Sequence, residues 1–150
     1  DREMVLAAVR LSGMGLRYAA PELRGDREVV LAAVSQEGVA LQHASRSLRA
    51  DREVVLAAVR QAGWALRHAA EELRADREIV MAAVQQSGWA LCDAAASLRS
   101  DREVVAVAAE QCALALRFAL PQEAAEEGPR ATRRRTGEAR PAPSDALLAL

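Results

Sequence analysis

The sequence contains no lysine and no asparagine, and it is poor in aromatic residues, with two Trp, one Tyr and one Phe. All 20 residues with a permanently positive side chain are therefore arginine. GC-rich codon usage accounts for these absences together, so the preference for arginine does not by itself indicate a function. Hydrophobic residues make up 51% of the 150-residue chain, which is enough to form a sizeable core.

Neither sign of charge is in large excess. Residues 1–125 carry 15 Arg against 17 Asp and Glu, and the last 25 residues carry five Arg against four acidic residues. A surface that follows a nucleic-acid backbone usually shows a strong basic excess. Nucleic acid is therefore not the partner that this composition predicts.

Long hydrophobic runs, signal sequences and cysteine motifs are also missing. Runs such as VVLAAV at 29–34 are far shorter than the roughly 18 residues that a membrane span needs, so no membrane association is expected. The two cysteines, Cys92 and Cys112, show no disulfide or metal-binding spacing and are expected to be ordinary thiols in a reducing compartment. These features predict a cytoplasmic protein, with the Arg133–Arg135 run as a weak nuclear-import signal or, more simply, a solvated linker.

What the sequence does contain is one pattern that fits five times in succession. Each copy opens with Asp-Arg-Glu, and positions 5, 8, 16 and 19 of every copy are Val, Ala, Leu and Ala. A fixed period of this length is typical of repeat architectures, in which each unit contacts its neighbours. The units are residues 1–25, 26–50, 51–75, 76–100 and 101–125, called units 1 to 5 below.

The first half of unit 3 predicts a helix. Asp51 is a good N-cap, whereas the apolar run that follows it could be either a buried helix or a buried strand. The cap, the central Ala-Ala pair and the later glycine favour the helix. The pattern predicts a helix from Arg52 to about Ala62, which Gly63 ends in the left-handed conformation.

The second half of the unit predicts an amphipathic helix. Its apolar stripe at helical spacing consists of Leu66, Ala69, Ala70 and Leu73. Its water-facing side consists of Arg67, His68, Glu71 and Glu72.

Helices of this length are marginal in isolation, so the units must cover one another by stacking. The prediction is an all-α fold: an α-solenoid of five 25-residue helix-turn-helix repeats, with about ten short helices and a disordered C-terminal tail. One strand and one helix per unit, as in leucine-rich repeats, remains an alternative, although the L-x-x-L-x-L signature is missing.

The end of the array departs from the pattern. In unit 5 Ala113 replaces the glycine and Pro121 interrupts the second helix, so Arg102–Leu120 could run as one bent helix in a degenerate terminal cap.

The domain boundaries follow from the same departure. The predicted domains are a repeat array at 1–122 and a disordered tail at 123–150, with a short helix at 145–150. Because the chain begins without Met at a repeat boundary, it is expected to be a fragment of a longer array.

Two variable columns and one constant column carry the candidate polar chemistry. The arginine at position 2 of each unit is flanked by acids, which favours a ladder of ion pairs over an anion-binding ridge. Position 18 holds Tyr18, His43, His68, Asp93 and Phe118. A metal site there would need side chains from neighbouring units to meet around one ion, so a solvated variable column is expected instead.

Position 14 holds the two tryptophans of the chain. Its large side chains are expected to pack between units, but Trp64 and Trp89 would be natural anchors for a partner if they were exposed side by side. The full column is Met14, Val39, Trp64, Trp89 and Leu114.

The string DREVVLAAV-x-Q-x-G-x-A-L-x-x-A-x-x-x-L-R is clearest in units 2 to 4. It resembles the tandem repeat family known as domain of unknown function 4116, in its Asp-(basic)-Glu-Val-Val start, its central Gly and its Ala-Leu-x-x-Ala-x-x-x-Leu ending. The similarity extends from Asp1 to about Leu120. Family units commonly have Asn before the Gly, where this chain has other residues. The resemblance implies a helical tandem repeat and transfers no activity, cofactor or catalytic residue.

No nucleophile, base and orienting group occur together, so the sequence predicts neither an enzyme nor a cofactor. By analogy with other solenoids, we expect a scaffold that binds another protein. Two hypotheses remain beside it: a nucleic-acid-binding helical repeat protein, and a non-catalytic part of a larger enzyme. The predicted contact surface comprises variable, solvent-facing positions of both helices, together with the two tryptophans as anchors if they are exposed. These residues are Arg10, Arg60, Arg17, Gln42, Arg67, Tyr18, His43, His68, Trp64 and Trp89.

Overall fold

The computed structural model describes residues 1–120, and Asp1–Ala119 form one compact unit built from helices and turns. No strand occurs in this part of the chain, so the all-α solenoid is confirmed and the strand-plus-helix alternative is wrong. Each complete unit contains a long α-helix, a 3₁₀ helix and a short α-helix. The described residues therefore hold 14 helices instead of about ten.

The helix bounds repeat with the sequence. The long helices are Arg2–Leu11, Arg27–Gln36, Arg52–Gln61, Arg77–Gln86 and Arg102–Gln111. The 3₁₀ helices are Gly13–Tyr18, Gly38–His43, Gly63–His68, Gly88–Asp93 and Ala113–Phe118. The short helices are Pro21–Arg24, Arg46–Arg49, Glu71–Arg74 and Ala96–Arg99.

The long helix of unit 3 begins and ends for local reasons. The Asp51 carboxylate accepts hydrogen bonds from the backbone N–H groups of Glu53 (3.0 Å) and Val54 (3.2 Å), which have no partner inside the helix. The helix ends at Gln61 because Ala62 is extended, with φ −147° and ψ 109°. The predicted bounds of this helix are confirmed.

The core lies where the long helices of neighbouring units pack against each other and against the 3₁₀ helices. Each fully buried Val or Leu in it contributes about 1.5–3 kcal/mol relative to an exposed one. In unit 3 the fully buried side chains are Val54, Val55, Ala58, Val59, Ala65 and Leu66.

The predicted second helix is divided into two pieces. The 3₁₀ helix of unit 3 stops at Ala69, whose φ of −75° and ψ of 156° are not helical. The next N–H, that of Ala70, donates to the backbone oxygen of Arg49 in the preceding unit at 2.9 Å. In an unbroken helix that N–H would donate to a carbonyl oxygen of the same helix. The break therefore leaves it available for a backbone hydrogen bond between units. Equivalent bonds join units 1 and 2 and units 3 and 4.

The central glycine does not take the left-handed conformation that the sequence predicted. Gly63 is instead the first residue of the 3₁₀ helix, and it lies directly against the long helix of unit 4. A Cβ at this position would come within 3.0 Å of the backbone oxygen of Ala83. The same close approach recurs at Gly13, Gly38 and Gly88, so the glycine column is required by backbone contact between units.

Unit 5 keeps the break after its long helix even though it lacks the glycine. Cys112 is extended, with φ −158° and ψ 112°, and the 3₁₀ helix begins at Ala113. The prediction of one bent helix over Arg102–Leu120 is therefore wrong. No further long helix follows within the described residues, and the Ala113 side chain is exposed.

Several predictions concern residues beyond this range. The disordered tail at 123–150, the short helix at 145–150 and the Arg133–Arg135 run all lie outside the described residues. Among the helices of residues 1–120, none has the length and apolar character needed to cross a membrane.

The helix cap and the inter-unit ion pair can be separated by mutation. Asp76→Ala is expected to lower the free energy of unfolding by about 1 kcal/mol, because it removes the hydrogen bonds from the N–H groups of Glu78 and Ile79. Arg52→Ala leaves this cap in place and is expected to have a clearly smaller effect, because exposed ion pairs stabilise little. Urea unfolding of both variants measures the difference, and equal losses would contradict the dominant role of the cap.

Candidate functional site

The arginines at position 2 of units 1 to 4 form an ion-pair ladder, as predicted. In unit 3 the Nε of Arg52 lies 3.0 Å from Asp76 Oδ2, and its Nη2 lies 2.8 Å from Glu78 Oε2. Equivalent pairs hold Arg2, Arg27 and Arg77 to the acids of the following unit. These four arginines already have carboxylate partners, so the ladder is the better interpretation of this column.

The ladder also holds the pKa of its aspartates below the usual 3.8. For Asp101 the hydrogen bond from Arg77 is the largest cause, and it outweighs the opposing effect of burial. For Asp76 burial is the largest effect and would raise the pKa, but the bonds from Arg52 and the Ile79 N–H outweigh it.

Most of the predicted contact residues lie along one edge of the array. Consecutive 3₁₀ helices contact each other from unit 1 to unit 5, so their positions 14, 17 and 18 form a continuous surface, called the 3₁₀ edge below. The predicted residues on it are Arg17, Gln42, Arg67, Tyr18, His43, His68, Trp64 and Trp89.

The two tryptophans at position 14 remain largely exposed, although one of them packs against the next unit. The Trp89 ring meets the Phe118 ring edge-on, with centroids 5.6 Å apart. Trp64 and Trp89 nevertheless remain 49% and 43% exposed. The predicted burial of position 14 therefore fails for these two residues, and each presents aromatic surface to solvent.

Position 18 was predicted to be a solvated column, but both of its histidines are half-buried. Burial is the main cause that lowers the pKa of His43, and the positive charges of Arg17 and Arg24 lower it further. Burial likewise lowers the pKa of His68, with Arg67 and Arg49 adding to the effect. At His68 the negative charge of Asp93 acts in the opposite direction.

Position 18 of unit 4 carries an acid that is already paired. The Asp93 carboxylate lies 3.6 Å from the Nε of Arg67 and is 15% exposed. In the described part of the chain, no group of three or more His, Cys, Asp and Glu side chains is placed to share a metal ion.

Two of the predicted residues lie on a different surface. Arg60 lines a groove of about 410 Å³ between the long helices of units 3 and 4, together with Leu56 and Met81. None of the 3₁₀-edge residues lines this groove. Arg10 occupies the same position as Arg60 in the long helix of unit 1. The structure therefore divides the predicted contact residues between two surfaces.

Sequence reasoning missed the arginine column at position 24. These side chains are half-buried, and none of them forms an ion pair within the described residues. Arg99 donates its Nε–H to the backbone oxygen of Phe118 at 2.9 Å, whereas the buried Nε of Arg49 and of Arg74 has no hydrogen-bond partner in this part of the chain. The recurrence of arginine at a fixed position was the available signal. The column is Arg24, Arg49, Arg74 and Arg99.

Stability is expected to fall in mildly acidic solution because of the two histidines. The folded protein lowers their pKa from the ordinary 6.5, so the unfolded chain binds more protons below that value. Their contribution to stability is present above about pH 6.5 and is lost as the pH falls towards the folded-state pKa. The urea midpoint should therefore decrease between about pH 7.5 and about pH 5.5. The decrease should be shallower in the His43→Gln/His68→Gln variant, and an identical decrease would contradict this assignment.

The sequence model of one protein family matches this chain in the same register as the structural units. The family is described as a domain of unknown function (DUF4116), and the four overlapping matches cover residues 1–49, 26–74, 51–96 and 76–122. No curated protein and no solved structure matches the chain. The matches together span most of the sequence and all five repeats, and the chain therefore belongs to the DUF4116 family.

Proposed function

We propose that this array is a non-enzymatic scaffold that binds another protein through the 3₁₀ edge. The observation that carries the proposal is the presence of two half-exposed tryptophans in adjacent units, one of which, Trp89, packs its ring edge-on against Phe118. Trp, Tyr and Arg are the side chains most enriched among residues that dominate protein interfaces. Tyr18, which is 82% exposed, and Arg67 lie on the same edge.

The backbone beneath this edge supports pre-organised binding. Each 3₁₀ helix of units 1 to 4 is held between the long helices of its own unit and of the next. Its buried leucine, such as Leu66, has no exposed surface. A partner would therefore lose little free energy in ordering the edge, which favours affinity.

The proposal is tested with substitutions that the repeat itself already contains. Unit 2 has Val39 and unit 5 has Leu114 at the tryptophan position, so Trp64→Val/Trp89→Leu should keep the fold. Arg60→Ser, which copies Ser35 of unit 2, changes the long-helix surface and serves as the control.

The wild-type chain and both variants are used as baits for quantitative affinity capture with photo-crosslinking. We expect at least one protein to crosslink to the wild type and to the Arg60→Ser variant, and to be lost with the tryptophan variant. Failure to recover any protein, where a control scaffold succeeds, would count against the scaffold function. Capture that is insensitive to the tryptophans would instead remove the 3₁₀ edge from the proposal.

A further inference from the structure

Resting on the proposed scaffold function, we propose that the partner docks through an acidic segment, which binds basic and hydroxyl side chains where units 1 and 2 meet. This cluster, called the basic joint, consists of Arg17, Arg24, His43, Ser45, Arg46 and Ser47. The partner chemistry is a peptide rich in Asp and Glu.

Backbone contacts bring the cluster together. The Ser45 N–H donates to the backbone oxygen of Arg24 at 2.9 Å, so the start of the short helix of unit 2 lies against the end of that of unit 1. A Cβ on Gly25 would lie only 3.6 Å from the Ser45 hydroxyl. That hydroxyl is 3.1 Å from the hydroxyl of Ser47. The backbone of Arg24 and the two hydroxyls therefore lie at one joint.

The positive charge of the cluster comes from its arginines. Burial lowers the pKa of the His43 ring, and the positive charges of Arg17 and Arg24 lower it further. The Nε2 atom of His43 is buried and has no hydrogen-bond partner in residues 1–120. Arg17, Arg24 and Arg46 form no ion pair within the same residues. The positive charges of these three arginines are therefore not neutralised by an ion pair within the described residues.

The neighbouring joints of the array differ in this respect. Arg46 also lines the groove of about 340 Å³ between units 2 and 3, together with Arg49 and His68, but Glu71 and Glu72 line this groove as well. In units 1 and 2 the short helices carry a single acidic side chain, the exposed Glu22. Unit 2 also has Ser45, Arg46 and Ser47 at the three positions where unit 3 has Ala70, Glu71 and Glu72.

A carboxylate is the anion that this arrangement fits best. Guanidinium groups bind carboxylates with paired, charge-assisted hydrogen bonds, and serine hydroxyls can donate further ones. Nucleic acid is disfavoured because a single basic joint on an array with 15 Arg against 17 acidic residues offers few phosphate contacts in series. The Arg17 guanidinium also lies 5.2 Å from the Tyr18 ring, which extends the joint towards the 3₁₀ edge.

The test uses a matched pair of charge reversals in the full chain. Arg46→Glu installs the residue that unit 3 has at the same position, Glu71, and so should fold. Arg10→Glu makes the same charge change on a long helix, where unit 5 has Glu110. Fluorescence anisotropy follows the binding of a labelled peptide of alternating Glu and Ser, with a Gln-for-Glu peptide and a single-stranded RNA oligonucleotide as comparisons.

We expect salt-sensitive binding of the Glu peptide, weakened about tenfold or more by Arg46→Glu and little changed by Arg10→Glu. Equal weakening by both variants, or equal binding of the Gln peptide, would overturn the proposal. Preferential binding of the RNA would replace the acidic peptide with nucleic acid. Absence of peptide binding would refute the basic joint alone, because the scaffold function is judged separately by the tryptophan variants.

Discussion

Gly63→Ala is expected to lower the free energy of unfolding by about 3 kcal/mol, because it forces apart two units whose backbones touch. The added methyl group would lie within 3.0 Å of the Ala83 oxygen and at 3.0 Å from the Ser87 nitrogen. Both are backbone atoms, so no side-chain rotation can relieve the overlap. The long helix of unit 4 must shift instead, which also strains the hydrogen bond from the Gly63 N–H to Gln86 Oε1. Urea unfolding followed by circular dichroism measures the loss.

The chain offers a matched control in Gly15→Ala. A Cβ at Gly15 would lie 3.7 Å from the backbone of Ala8, which is ordinary contact, and the other four units have alanine at this position. This variant is expected to be neutral or to gain about 0.5 kcal/mol. Comparable stabilities of the two variants would contradict the close approach at Gly63.

The location of the damage is a second measurement. Repeat arrays are stabilised by nearest-neighbour interfaces, so the Gly63→Ala defect should open the junction of units 3 and 4 first. Hydrogen exchange is expected to quicken in the long helix Arg77–Gln86 while that of Arg2–Leu11 keeps its protection. Uniform loss of protection would instead indicate one cooperative unfolding unit.

The glycine column illustrates how far the sequence could predict this fold. The period, the Asp caps and the end of the long helix near Ala62 follow from local chemistry, and they are confirmed. The reason for the glycine was predicted wrongly, because a left-handed cap and a close backbone approach both require glycine and cannot be distinguished in a sequence. Only the position of Ala83 in the next unit distinguishes them.

The break in the second helix could not be predicted from local sequence either, because it also depends on a contact with another unit. Ala69 and Ala70 both favour helix, so propensity predicts continuity at this point. The bond from the Ala70 N–H to the oxygen of Arg49 comes from another unit, and it decides the backbone conformation. A contact between residues so far apart in sequence has no local signature.

The candidate site was predictable in part. The variable column at position 18 correctly indicated Tyr18 as an exposed residue, whereas the expected packing of Trp64 and Trp89 between units was wrong in that both remain largely exposed. Periodicity assigns residues to helix faces but does not say how deeply a neighbouring unit covers them, so the half-burial of His43 and His68 was missed. The basic joint was missed because it combines side chains from two units, and their proximity depends on the break after the 3₁₀ helix.

Leu66→Ala is expected to cost about 3 kcal/mol, because Leu66 is completely buried and its truncation leaves a cavity between packed helices. Leu116 is the same residue at the same repeat position, but it is 51% exposed in unit 5. Leu116→Ala is therefore expected to cost only about 0.5 kcal/mol, since solvent fills the space that the side chain leaves. Thermal and urea unfolding of the two variants measure how much a leucine at this position stabilises the fold when a neighbouring unit buries it and when it is exposed. Equal losses would show that Leu116 is as well covered as Leu66, and would contradict the exposed face of unit 5.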